Sequence, residues 1–239
     1  PRRSITLEHL LQMTSGLRHS AGSVTPFSDI ARLHLGADVR GTALAIPAVE
    51  APGQRFQYNN VNTQVLAFLL ERATGQRYAD YLSRKLWRPL GAADSAVWLD
   101  QEGGGAKAYC CLFARARDWA RLGQMMADGG RAGERQVVPA PWLARMTAPS
   151  ALEPSFGYGL WLGRTWAGPR RKDWREPFVA RDTFMLVGQG EQRVFVVPSR
   201  ELVIVRLGRE AGPAWDDTVI PNMLVRALET RPASLGGNA

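Results

Sequence analysis

The run DTFMLVGQGEQRVFVVPSRELVIVRL, residues 182–207, decides how the chain folds. Its apolar residues lack helical spacing. They come instead as β-branched and aromatic blocks, DTFMLV, QRVFVV and ELVIVRL, separated by turn residues. Between the last two, VPSRE leaves room only for a tight hairpin connection. With YGLWLGRTW upstream, these blocks predict an antiparallel sheet, and the stretch from about Asp216 to Glu229 predicts a helix covering one face.

Upstream of Gly157 the period is helical. ITLEHLLQMTSGL places Leu7, Leu10 and Leu11 on one side, with Thr6 as N-cap, Glu8 in the first turn and Gly16 as the stop. From Leu17 to Gly53 the pattern is irregular, with one short helix around Phe27 to Leu35. Val61, Val65, Leu66, Leu69, Leu70 and Ala73 form a stripe that ends at Gly75. A helix from Tyr78 to about Trp87 stops before Pro89. FARARDWARLGQMMADGG buries Trp119, Leu122, Met125 and Met126, and APWLARMT is a shorter helix. The expected organisation is α+β, with a mostly helical subdomain over residues 1–105 and a helix-and-sheet part over residues 106–239.

At 239 residues and 45% hydrophobic content, the chain can bury a sizeable core. No run of eighteen uncharged apolar residues appears, so no membrane span is expected. The opening PRRSITLEHLL lacks both methionine and an apolar h-region, and reads as a cut end rather than a signal peptide. The compartment stays open. The net charge of +8 is carried by arginines spread along the chain, only Lys85, Lys107 and Lys172 being lysine. Such scatter fits solvated faces better than a nucleic-acid surface, and the densest patch, GPRRKDWR, reads as a loop. Cys110 and Cys111 are neighbours, where a disulfide is strained, so two small buried thiols are expected. His9, His19 and His34 are scattered, and neither a metal nor another cofactor is expected.

FQYNNVNTQVLAFLLERATGQ, residues 56–76, sets Tyr58, Asn59 and Asn60 directly ahead of a helix. Asn59 or Asn60 can cap that helix while Tyr58 packs on the surface. The tyrosine can equally be a proton-transfer group at the mouth of a site. A phenol with an ordinary pKa of about 10 is a poor base at neutral pH, and a neighbouring ammonium brings it within useful range.

Six blocks in order, ITLEHLLQMTSGL, FQYNNVNTQVLAFLLERATG, RPLGAADSAVWLD, CCLFARARDWARLGQMMADGG, GYGLWL and GQGEQRVFVVPSRELVIVRL, resemble the serine β-lactamase-like hydrolases. That superfamily includes penicillin-binding proteins, class C β-lactamases, esterases and amide hydrolases. The blocks NTQVLAFLLERATG and CCL…ARDWARLGQ are most similar to the branch resembling 6-aminohexanoate-dimer hydrolase.

The resemblance implies three catalytic boxes around one pocket: Ser-x-x-Lys, Tyr-x-Asn/Ser, and a strand ending at glycine. Tyr58 is then the acid/base residue, and Asn60 orients the lysine and the substrate's carbonyl side. Leu186, Val187 and Gly188 fill the third box. Gly188 lets substrate lie close to the strand, and the N–H of Gln189 is one oxyanion donor. Trp98, Tyr158, Trp161 and Trp166 are candidate aromatic walls for an ester or linear amide substrate.

Three departures stand out. Leu186 replaces a lysine that pairs with a β-lactam or peptide carboxylate, which argues against lactamase or carboxypeptidase activity. Glu191 replaces an expected glycine, and is expected to be exposed or to meet an arginine. Finally, no serine has a lysine three residues on: Lys85 follows Leu82, Lys107 follows Gly104 and Lys172 follows Pro169. The nucleophile helix and N-terminal strands of the family are therefore expected upstream of Pro1, and that absent segment is a candidate partner of this chain. The other expectations are a remnant or partner-binding pseudoenzyme without chemistry, or a β-lactamase or DD-peptidase; residues 1–239 alone are expected to show no turnover.

Overall fold

The computed structural model describes residues 2–18, 28–164, 174–209, 212 and 215–230. Trp166, His19, most of the GPRRKDWR loop and the tail from residue 231 lie outside the described residues.

Thr6 caps α1 (Leu7–Leu11): its side chain accepts from His9 N at 3.2 Å while Thr6 N donates back to His9 Nδ1 at 3.2 Å. This is a capping box with histidine in the usual glutamate's place. The helix stops well before Gly16, because Gln12 closes it and Met13 turns left-handed at φ 59°. Ser28 caps α2 (Asp29–Leu35), and Asp38 caps α3 (Val39–Ala45), a helix the irregular 17–53 region did not announce. Next come α4 (Asn60–Thr74), ended by Gly75 at φ 66°, and α5 (Tyr78–Leu82), which runs on as a π turn over Ser83–Trp87. Leu10, Leu33, Val39, Val61 and Phe68 form the shared core of this helical part.

β1 (Ala96–Val97) pairs with β2 (Leu112–Phe113) across the expected 105/106 division. The loop between them is anchored on the helical part. Asp100 accepts from Val39 N at 2.8 Å and Gly105 N at 2.7 Å, while Gln64 bonds Ala106 O and Ala108 N, both at 2.9 Å. The expectation of two free thiols needs correcting: Cys110 and Cys111 are joined as a disulfide and are half-buried, with Cys111 in the left-handed region at φ 68°.

Then follow α6 (Ala116–Ala127), the short pair β3 (Arg131–Ala132) and β4 (Arg135–Gln136), and α7 (Ala140–Met146). The main sheet is β5 (Trp161–Leu162), β6 (Phe184–Gly188), β7 (Gln192–Val197) and β8 (Leu202–Arg206), antiparallel and in sequence order. The closing helix α8 (Val219–Glu229) begins three residues later than expected. Asp216 instead accepts from Thr218 N and Oγ1, and Asp217 accepts from Arg193.

Both faces of this sheet are covered, which is why its strands read as continuous apolar runs. Leu162, Phe184, Val194 and Val196 pack with Leu122 and Met126 of α6 on one face. Trp161, Met185 and Phe195 pack with Phe156, Phe178 and Met13 on the other. Trp119 lies half-buried against the α6-side cluster. The helix approaches the sheet closely at Gly123, where an added Cβ would stand 2.6 Å from Val203 Cγ1 and 3.1 Å from Val194 Cγ1. Gly123→Val is therefore expected to lose about 1–3 kcal/mol of stability by overpacking. A urea midpoint equal to that of the parent chain would show that α6 can lift off without penalty.

Candidate active site

A buried polar frame holds the segment that presents Tyr58. Gln57 N donates to Met13 O at 2.8 Å, and Asn59 Nδ2 donates to Leu17 O and Arg18 O at 3.2 Å each. Ser15 Oγ donates to Asn62 Oδ1 at 2.6 Å, and Asn62 Nδ2 reaches Met13 Sδ at 3.4 Å. Ser15, Asn59 and Asn62 are all buried. Such groups must find partners, so the loop after α1 and the start of α4 are locked together.

Asn59 is the N-cap, accepting from Val61 N at 3.1 Å. Asn60 is the first residue of α4 and is half-buried. With capping assigned to Asn59, Tyr58 stays outside the helix and is 44% exposed. Its ring lies tilted on Trp161, centroids 5.9 Å apart, and edge-on to Phe156 at 6.0 Å. The cap and the exposed phenol are thus separate properties of adjacent residues.

Trp161 connects this tyrosine to the third box. It faces Met185 in the β5–β6 register, and three residues further along β6 is Gly188. Val187 and Phe56 pack against the cluster containing Trp161 and Phe156. Gly188 and Gln189 are exposed at the end of the strand. A Cβ on Gly188 would come 3.0 Å from Gln192 Cβ, so the register leaves little space for a side chain there.

Other expected site residues go elsewhere. Leu186 turns to the opposite face of β6 and packs on the α6-side cluster. Tyr158 is buried, and its hydroxyl donates to Glu8 Oε1 at 2.5 Å and accepts from Arg145 Nη2 at 3.5 Å. The bond to Glu8, then burial, raises the Tyr158 pKa, so this phenol tethers α1 to the segment after α7. Trp98 is exposed on the β1–β2 pair, edge-on to Phe113 at 6.1 Å. The ammonium of Lys107 lies 5.8 Å from the Trp98 ring centre and donates to His34 O, near the C-terminal end of α2, at 2.5 Å. That buried lysine is satisfied as a helix-end cation.

Glu191 explains why a glycine is expected in the hairpin: its φ is 56°, in the left-handed region. It is half-buried, and its carbonyl accepts from Arg206 Nη1 at 2.8 Å. Sequence reasoning missed Ser15, Asn62, Arg193 and Asp217. The available signal for Arg193 was a charge inside the otherwise apolar run QRVFVV; its partner lies 24 residues away.

An antiparallel sheet packed against helices and preceded by a mostly helical part is the architecture of β-lactamase/transpeptidase-like proteins. Residues 1–224 match the Beta-lactamase family, and the chain belongs to it. It is 34% identical over 163 residues to the 6-aminohexanoate-dimer hydrolase of Paenarthrobacter ureafaciens, covering 68% of this chain and 40% of that protein. Among solved structures, a Bacillus anthracis protein assigned as a 6-aminohexanoate-dimer hydrolase superposes with TM-score 0.74 at 21% identity, covering 94% of this chain and 61% of the other. A penicillin-binding protein from Bacillus halodurans gives TM-score 0.62 at 16% identity, covering 95% and 74%. The solved structures share the fold. The chain spans less than half the length of the curated hydrolase it matches.

Proposed function

We propose that residues 1–239 carry the acid/base and oxyanion side of an acyl-enzyme serine hydrolase acting on an ester or linear amide. The nucleophile and its lysine come from a Ser-x-x-Lys segment N-terminal to Pro1 in the same polypeptide. One observation carries this reading: Tyr58 stands exposed on Trp161, whose strand neighbour β6 leads directly to Gly188 and Gln189. The identity to a 6-aminohexanoate-dimer hydrolase supports a linear amide or ester over a β-lactam.

The serine hydroxyl adds to the substrate carbonyl carbon while its proton passes to the Tyr58 phenolate, which the lysine ammonium stabilises. The new oxyanion accepts from Gln189 N–H and from the serine's own N–H. Collapse breaks the acyl bond, and the departing alcohol or amine takes the proton from Tyr58. Water then repeats the sequence on the acyl-enzyme and releases the acid. No cation occupies the strand position of Leu186, so a substrate carboxylate has no partner there.

The test uses the product of the full reading frame that contains these residues. A fluorophosphonate is expected to add to a serine in an in-frame Ser-x-x-Lys, detected as a mass shift on that peptide. Nitrocefin turnover is expected to be negligible. A reading frame without the box, or a box that resists labelling, contradicts the proposal; rapid nitrocefin turnover contradicts the substrate class.

One feature favours a second reading, a partner-binding protein without chemistry. α8 exposes Met223 at 64%, together with Leu224 and Leu228, and β8 is the half-buried last strand of its sheet. A full-length frame lacking Ser-x-x-Lys decides for this alternative.

A further inference from the structure

The hairpin that ends the third box is held by two arginines through its carbonyl groups. Arg193 is 4% exposed and lies on β7 opposite Val187. Its Nη1 donates to Gly188 O at 3.2 Å and to Gln192 O at 3.0 Å, while Nε donates to Asp217 Oδ1 at 2.6 Å. Asp217, 1% exposed, also accepts from Trp215 Nε1 at 2.8 Å. Arg206 Nη1 donates to Gly190 O at 3.1 Å and Glu191 O at 2.8 Å.

Gly188 O and Gln189 N belong to one peptide group. Whatever grips the carbonyl fixes the plane of that peptide and hence the direction of its N–H. A charged donor on the carbonyl also polarises the unit and makes the N–H a stronger donor. The geometry points to Arg193 as a positioning residue for the oxyanion donor Gln189 N–H, with Asp217 holding its guanidinium in place. This assignment rests on the hydrolase reading above, and it gives the buried pair a function beyond stability.

Arg193→Lys in the full-length protein keeps the charge and removes the fork that spans Asp217 and the Gly188 carbonyl. Its kcat for a p-nitrophenyl ester is expected to fall about 10-fold or more, with KM little changed, as when oxyanion stabilisation weakens. The diagnostic is the thionoester of the same acid. Its developing charge falls on sulfur, a weak acceptor, so its rate is expected to fall less and the ester-to-thionoester ratio to narrow. Asp217→Asn, which preserves shape, is expected to narrow the ratio in the same direction. Circular dichroism establishes that the variants compared are folded.

An unchanged ratio in either folded variant of an active enzyme overturns the role of Arg193 and leaves the hydrolase reading standing. A full-length wild-type protein that neither turns over ester nor takes the fluorophosphonate overturns both.

Discussion

Tyr58→Phe is expected to lower ester turnover by the full-length protein about 100-fold or more, the range for losing a general acid/base. The substitution removes one oxygen and keeps the ring. Its packing on Trp161 and Phe156, at 5.9 Å and 6.0 Å, survives. Tyr58 is 44% exposed, so losing whatever bond its hydroxyl makes should cost no more than about 1 kcal/mol of stability. A large loss of kcat with an unchanged unfolding midpoint assigns the hydroxyl to chemistry. Turnover within about 3-fold of wild type would remove Tyr58 from the mechanism, and an equal loss of activity and folded protein would make it structural.

The second large effect is on stability. Asp217→Ala leaves the guanidinium of Arg193, 4% exposed, without the carboxylate 2.6 Å from its Nε. Removing one member of a buried pair costs about 3–5 kcal/mol, because the survivor stays desolvated and uncompensated. Urea unfolding followed by tryptophan fluorescence measures this. Replacing both members, as in Arg193→Met with Asp217→Leu, should recover part of the loss, since the two charges of the pair leave together while Trp215 Nε1 and Gln192 O lose these partners. A single-variant loss below about 1 kcal/mol would mean the pair behaves like a surface contact.

Both effects turn on residues whose sequence signals differ in strength. The sheet was legible because QRVFVV and ELVIVRL are strand-like on propensity alone, and a sheet covered on both faces needs continuous apolar runs. α4 was legible from its stripe and its terminal glycine, whose left-handed φ of 66° closes the helix. α3 was not: its seven residues carry no long apolar period, and its cap rests on one bond from Gly41 N to Asp38.

The site divides in the same way. Tyr58 beside a helix start and Gly188 at a strand end follow from local order, and the chemistry proposed for them comes from the resemblance. Strand alternation puts Leu186 and Val187 on opposite faces, but only the fold shows that Val187 is the one on the Trp161 side. Tyr158 looked available as an aromatic wall until α1 brought Glu8 to its hydroxyl. The frame around Asn59 and Asn62 joins residues more than forty positions apart, a distance over which local propensity carries no information.

Tyr58 and the Gln189 amide are expected to face one gap filled by a serine. Crystallography of the full-length protein, with a phosphonate bound covalently to that serine, tests this directly. The phosphoryl oxygen is expected within about 3 Å of Gln189 N, and Tyr58 Oη within about 3 Å of the serine Oγ. A phosphoryl group turned away from Gln189, or a serine reached by another side chain in place of Tyr58, would contradict it.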